Sequence, residues 1–434
     1  MTHDAQTLAW LGFLMVAGFM ALIMTGRLSP LVALITVPTV VGLVAGFGAG
    51  LGPMMLEGVA RIAPTAVMLM FAILYFGVMG DAGLFDPLIK ALLRVVGDDP
   101  VRIVMGTVAL ATFVSLDGDG STTYMITVAA LLPLYRRLGL NPLIMACLIM
   151  LSSGVMNLTP WGGPTARAAS ALGLDATAVF LPLVPAMLVA IAWLMMLGWA
   201  YGRAERRRLG GLAPQVLTPA GEAGPAPGPI RFWINLGLTL TLLGLLMLQA
   251  LPLPLLFMLA FCLALVINHP KPADQRARIA AHAPAVLAVV SVIFAAGVFT
   301  GILSGTGMVT AMSGALVDVI PPVLGPHLAP LTALISLPMT FFISNDAFYF
   351  GMLPVLAETA GHYGVAPLHV ASASLIGQPL HLLSPLVPST YLLVSLAGVE
   401  FGAHQRFTLP WAILTCLVML AAALALGAFP WRAA

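Results

Sequence analysis

The sequence predicts an all-α polytopic membrane protein made of two inverted repeats, and three observations carry that prediction. The chain of 434 residues is 60% hydrophobic and only 8% charged, with a mean hydropathy of +1.05, far from the composition of domains that fold in water. Charge-free windows at 8–24, 30–48, 64–80, 177–200, 232–248 and 409–428 are each long enough to cross a hydrocarbon core of ~30 Å at ~1.5 Å per residue. The two halves of the chain also echo one another at a nearly constant spacing.

In order, spans are expected at 8–24, 30–48, 64–80, 141–172 (interrupted) and 177–200, then at 231–248, 254–268, 284–304, 366–396 (interrupted) and 408–428. The first apolar stretch reads as a span and not as a removed signal peptide, because residues 1–6 carry no positive charge and no small-residue cleavage site follows. Segments 101–138 and 328–361 must each enter and leave on one side for the alternation to hold, so both are expected as re-entrant hairpins.

Placing the loop with Arg203, Arg206, Arg207 and Arg208 in the cytoplasm then puts those four inside together with Arg27, Lys90, Arg94, Arg102, Arg136, Arg137, Arg231, Lys271, Arg276, Arg278 and Arg406. That is fifteen of the 18 Lys and Arg residues, the asymmetry expected of inside loops. Arg61 and Arg432 fall outside, and Arg167 falls within the membrane. Asp81, Asp86, Asp98 and Asp99 read as solvated at the cytoplasmic end of the third span, and Glu358 as solvated near the outer end of its hairpin. Cys147, Cys262 and Cys416 lie in apolar runs without metal-like spacing and read as packing residues. The net charge of +2 informs topology and gives no reason to invoke nucleic acid.

An offset of 225 residues links Gly139 to Gly364, Pro142 to Pro367, Thr159-Pro160 to Ser384-Pro385, Gly173 to Gly398, Asp175 to Glu400 and Pro185 to Pro410. Each half holds five spans, an odd number, so the repeats have opposite orientation, as in many secondary transporters. The expected domains are a first repeat over 1–202, a cytoplasmic linker over 203–230 rich in Pro and Gly, and a second repeat over 231–434.

Two polar clusters interrupt the apolar sequence: 115–123 (SLDGDGSTT) and 342–346 (FISND). A carboxylate at membrane depth is expensive, so Asp117, Asp119 and Asp346 point to function. Both clusters fall at the expected hairpin tips. At the first, Gly118 and Gly120 bracket Asp119 and permit a tight turn, while Ser121, Thr122 and Thr123 open a helix whose free N–H groups favour an anion. The second tip, Ser344-Asn345-Asp346, repeats the plan without the glycines.

The interrupted spans complete the picture. The helix breakers in 157–167 (NLTPWGGPTAR) and in 381–390 (HLLSPLVPST) cannot sit in continuous helices. Their freed backbone groups need partners from side chains, a cavity or an ion. Two broken helices and two tips would form a cage for a small ion or a carboxylate. Its lining candidates are Gly120, Ser121, Thr122, Thr123, Asn157, Thr159, Gly162, Gly163, Thr165, Ser344, Asn345, Ser384, Ser389 and Thr390. Arg167 faces Leu392 across the repeat, so the scaffold does not demand it. It either clamps a substrate carboxylate or neutralises Asp117 or Asp119. Trp161 reads as packing, and Gln378 and His381 as weaker lining candidates.

At these residues the chain resembles the CitMHS family of citrate–metal:proton symporters, within the ion transporter superfamily. The carrying stretches are 115–123, 131–137 (LLPLYRR), 158–169 (LTPWGGPTARAA) and 343–358 (ISNDAFYFGMLPVLAE). The resemblance implies uptake of citrate as a complex with a divalent cation, Mg²⁺ or Ca²⁺, coupled to protons across the cell membrane. Related divalent anion:sodium symporters imply a homodimer in the lipid bilayer, each protomer split into a scaffold and a transport domain that moves like an elevator.

Those relatives carry Ser-Asn-Thr at both tips, whereas this chain has Gly120-Ser121-Thr122 and Ser344-Asn345-Asp346. Physics agrees with the departure. A citrate trianion is repelled by nearby aspartates at low dielectric, and a divalent cation with its taste for oxygen ligands, or protonation, removes the conflict. Asp117, Asp119 and Asp346 are therefore the candidates for metal or proton coupling. A sodium-coupled di- or tricarboxylate symporter of the same architecture and a cation/proton antiporter are the alternatives. No nucleophile–base pair or metal-ligand histidine cluster suggests an enzyme.

Overall fold

A computed structural model describes residues 4–84, 87, 97–118, 120–210, 229–248 and 250–433. Asp86, Lys90, Arg94 and Asp119 lie outside these residues, as does most of the expected linker. Among the described residues all regular structure is helical.

The first half runs α1 (Ala5–Met24), α2 (Pro30–Val44), α3 (Gly48–Asp81), α4 (Pro100–Val114), α5 (Gly120–Leu138), α6 (Pro142–Met156), α7 (Gly163–Leu172) and α8 (Ala176–Arg208). The second runs α9 (Pro229–Met247), α10 (Leu253–Asn268), α11 (Pro272–Gly305), α12 (Met308–Val319), α13 (Leu328–Phe342), a π-helical turn (Ala347–Met352), α14 (Leu353–Gly361), α15 (Pro367–Ser374), α16 (Gln378–His381), α17 (Pro388–Ala397) and α18 (Phe401–Ala425). Six helices of the described residues are long and apolar enough to cross a membrane.

Several boundaries differ from those read in the sequence. The span expected at 30–48 stops at Val44, where Gly46 turns the chain with φ 81°. The spans expected at 64–80 and 284–304 are the ends of helices that begin at Gly48 and Pro272. Both are 34 residues long, about 51 Å by helical rise, because Pro53, Pro64 and Pro284 are carried inside helices instead of ending them. Helix α12 had no sequence counterpart. The expected linker start is wrong as well: α8 continues through Arg203 to Arg208. The segment Pro100–Asp117, expected as one arm of a hairpin, is itself long enough to cross.

Packing sorts the helices into two groups that cut across the halves. In one, α3 lies against α10 and α11, α2 against α11, and α1 against α12. In the other, α4 packs on α6 and α8, α8 on α18, α5 on α17, and α13 on α15 and α16. The groups meet where α7 touches α3 and α11, and where α12 meets α14.

The α3–α11 contact is backbone on backbone. A Cβ on Gly58 would lie 2.0 Å from the Gly297 carbonyl oxygen, and one on Gly301 2.3 Å from that of Met54. Close approach through small residues is the main source of helix association where lipid removes the hydrophobic drive. Asp81 closes one end of this pair with Arg278 (3.2 Å) and His282 (3.0 Å). In the other group, Asp98 pairs with Arg137 and Asp99 with Arg206, while the buried Glu205 carboxylate accepts from the Asn141 amide (3.0 Å) and from Arg208 (2.7 Å). Asp81, Asp98 and Asp99 are thus tied into ion pairs and do not stand free in solvent. Their partners come from helices distant in sequence.

Replacing Gly58 with Ala is expected to destabilise the protein by about 1–3 kcal/mol, because the clash is with backbone that cannot rotate away. Gly52 on the same helix has open space around it, so Gly52→Ala serves as the control. Thermal unfolding in detergent should show a lower midpoint for the first variant and no loss for the second.

Candidate functional site

The first tip begins where α4 tightens into a 3-10 turn over Ser115–Asp117, after which Gly118 adopts the left-handed region at φ 78°. Thr123, buried in the first turns of α5, donates to the Ser115 hydroxyl (3.2 Å). The Trp161 indole N–H donates to the Leu116 carbonyl (2.9 Å), and its ring stacks into Phe76 and Phe257 at 5.5 and 5.2 Å between centroids. A Cβ on Gly118 would stand 2.9 Å from that ring. Trp161 is therefore a packing residue that pins the tip.

At the second tip Ile343 is extended, Ser344 Oγ accepts from the Ala347 amide (3.1 Å), and Asp346 precedes the π-helical turn. The sequence reading expected an ordinary descending helix there. A π turn within a helix is a frequent mark of functional sites, and this one packs on α7. Arg167 reaches from α7 to Asp346, Nε to Oδ1 at 2.6 Å, with both side chains largely buried. Asn345 and Gln378 form a reciprocal amide pair (3.3 and 3.2 Å).

The two breaks repeat almost bond for bond. In the first, the Thr159 amide donates to the Met156 carbonyl and that of Gly162 to Thr159; in the second, Ser384 donates to His381 and Val387 to Ser384. Thr165 donates its hydroxyl to the Leu158 carbonyl (2.8 Å), and Thr390 to that of Leu382. These hydroxyls satisfy backbone freed by the breaks, as lipid depth requires, so Thr165 and Thr390 spend their protons on the fold. Ser384 Oγ similarly accepts from the Leu386 amide (3.2 Å). Gly162 is structural too: a Cβ there would lie 2.0 Å from the Asn157 carbonyl oxygen. Gly163 leaves room for Arg167, whose Nη1 would stand 2.7 Å from a Cβ.

The broken helices cross at Gly154, where a Cβ would meet Pro379 Cα at 2.7 Å. These residues are 225 apart, the offset that links the two halves in the sequence. Beside it, a methyl on Gly120 would sit 3.7 Å from Ser389 Oγ and 3.8 Å from Ser153 Oγ. Each tip thus meets the broken helix of the other half: Gly120 meets α17, and Asp346 meets α7. Asp117, Ser121, Thr122, Asn157, Ser344 and Asn345 are all half-buried around these points. Thr159 is buried with an unpartnered hydroxyl. Asp119 lies outside the described residues.

Among the described residues Arg167 has a carboxylate partner that the sequence reading did not name: Asp346, 179 residues away. Ser153 and Tyr349 were missed. Ser153 stands 225 residues before Gln378, a correspondence that marks it in retrospect. His381 donates from Nδ1 to the Thr340 carbonyl (2.5 Å), a helix-packing role. Among the described residues no cluster of three or more His, Cys, Asp or Glu side chains could hold a metal ion on its own.

The sequence model of the family described as citrate transporter, CitMHS, matches residues 15–377. A citrate transporter of Bacillus subtilis is 56% identical, covering 97% of this chain and 99% of its own. The Mg²⁺/citrate complex secondary transporter of the same organism is 51% identical over 97% and 99%. Among solved structures, the YdaH transporter of Alcanivorax borkumensis superposes with TM-score 0.60 at 16% identity, covering 89% of this chain and 90% of that one. MtrF of Neisseria gonorrhoeae gives 0.57 at 14%, covering 88% and 85%. These two likenesses show the fold alone. The protein is a multi-pass transporter of the cell membrane and not an enzyme, and the chain belongs to the citrate transporter family CitMHS.

Proposed function

We propose that this protein takes up citrate as its complex with a divalent cation, Mg²⁺ or Ca²⁺, in symport with protons. The observation that carries the reading is the Arg167–Asp346 pair at 2.6 Å. With its charge already balanced, the guanidinium is not a free clamp for a carboxylate, and the first tip adds Asp117 to the acidic side. A bare trianion is disfavoured there. A divalent cation carried on the citrate cancels most of that charge and accepts oxygen ligands from tip side chains. The 51% identical relative named for a Mg²⁺/citrate complex supports the same form of substrate.

The pair also supplies a route to proton coupling. Protonation of Asp346 releases Arg167, which then offers its fork to a substrate carboxylate; loss of the proton restores the internal pair and expels the ligand. Substrate and proton would thus enter together. The two packing groups fit a fixed scaffold, α1–α3 with α9–α12, and a transport domain carrying both tips and both breaks. In that reading residues 1–202 and 231–434 are inverted repeats, each contributing to both groups, and the assembly is a homodimer.

Uptake of citrate into proteoliposomes should stop when divalent cations are chelated and return with Mg²⁺ or Ca²⁺; undiminished uptake with chelator present would refute the metal-complex substrate. Asp346→Asn, which carries no titratable proton, should lose its response to an imposed pH gradient. For stability, Arg167→Leu alone should cost about 3 kcal/mol by stranding a mostly buried carboxylate. The double variant Arg167→Leu/Asp346→Leu should recover much of that in thermal unfolding while remaining inactive in uptake.

A further inference from the structure

Tip 2 is backed by a chain of hydrogen bonds that none of the roles above uses. The Tyr349 hydroxyl, on the π-helical turn, donates to the Ser374 carbonyl (3.4 Å). Its oxygen accepts from Gln378 Nε2 (2.8 Å). Gln378 Nε2 also donates to Asn345 Oδ1, and Gln378 Oε1 accepts from Asn345 Nδ2. Tyr349 and Gln378 have no solvent exposure, whereas Asn345 is only half-buried at the tip.

The direction of this chain is determined at its buried end. A carbonyl only accepts, so Tyr349 must donate to Ser374 and present its oxygen to Gln378. That oxygen requires the N–H side of the Gln378 amide, which in turn dictates which side of the Asn345 amide faces it. A primary amide has two N–H donors and an oxygen with two lone pairs. The reciprocal pair uses one donor and one lone pair of Asn345, leaving one of each directed away from Gln378.

The corresponding place in the first half contrasts with this. At the same 225 spacing, Gly120 stands for Asn345 and Ser153 for Gln378. There a methyl would make ordinary contact with Ser389, Ser153 and Tyr124. The first tip has no side-chain amide at this place, whereas the second has one held by hydrogen bonds.

We propose that Gln378 and Tyr349 are positioning residues, holding the Asn345 amide in one orientation so that the second tip presents an N–H donor and an oxygen acceptor together. A metal–carboxylate complex is a ligand that uses both: carboxylate oxygens take the donor, and the cation or a substrate hydroxyl takes the acceptor. The inference rests on the substrate form proposed above. Neither residue touches the substrate; both act through Asn345.

A double-mutant cycle on the full-length protein tests this. Gln378→Ala and Tyr349→Phe should each raise the KM for Mg²⁺–citrate uptake by about tenfold or less, the scale of one or two lost hydrogen bonds, with a smaller change in maximal rate. In an Asn345→Ala background neither should have further effect. Effects that multiply in that background would overturn the proposal, since the two residues would then act independently of Asn345. Tyr349→Phe preserves volume and keeps the test alive if Gln378→Ala does not fold. Hydrogen exchange of the ligand-free tip around Asn345 gives the same cycle without substrate. Faster exchange in each single variant, with no addition beyond Asn345→Ala, is expected, and additive acceleration overturns it. If the unaltered protein takes up no citrate with any cation, the proposed function fails while the exchange cycle still decides the positioning role.

Discussion

Everything near the centre of this protein answers to one constraint: backbone N–H and C=O groups at membrane depth need partners, and water is not there to supply them. Two helices are nonetheless broken, at 157–162 and 382–387. The breaks persist because each folds into the same short series of turns and because Thr165 and Thr390 give their hydroxyls to the freed carbonyls. Gly162, with no space for a Cβ, allows the first loop to close on itself. Once self-satisfied, the loops leave helix ends and small side chains facing the hairpin tips.

Charge is handled by the same economy of partners. Arg167 and Asp346 come from different halves and meet across the contact of α7 with the second tip. Each would be costly there alone. Together they form a charge-balanced unit. Other polar contacts are of another kind: the Asp98–Arg137 pair ties the start of α4 to the end of α5, and the Asp99–Arg206 pair with the Asn141–Glu205 hydrogen bond ties both to the end of α8.

The chemistry of the site resides in departures from the repeat. Gly173 and Gly398 end α7 and α17 in the left-handed region, φ 64° and 69°, and the turns of the two breaks correspond. Against that common backbone Arg167 faces Leu392, Asn345 faces Gly120, and Gln378 faces Ser153. Similar turns in the two halves are thus accompanied by unlike side chains.

Hydropathy and the 225 spacing were enough to mark both interrupted helices and the polar turns at 115–118 and 343–346, because lipid makes each violation of apolar continuity conspicuous. Trp161 was readable as packing from its sequence context. Prolines misled: Pro53, Pro64 and Pro284 lie within helices whose neighbours and intact flanking turns tolerate them, so α3 and α11 are far longer than their charge-free cores. Partner choice was illegible. That Arg167 pairs with Asp346, that Gly120 lies beside Ser389, and that Tyr349 is linked to Asn345 through Gln378 depend on contacts between residues 29 to 269 apart. Local sequence determined which groups had to find partners; only tertiary packing, which brings the two halves together at Gly154 and Pro379, decided which partners they found.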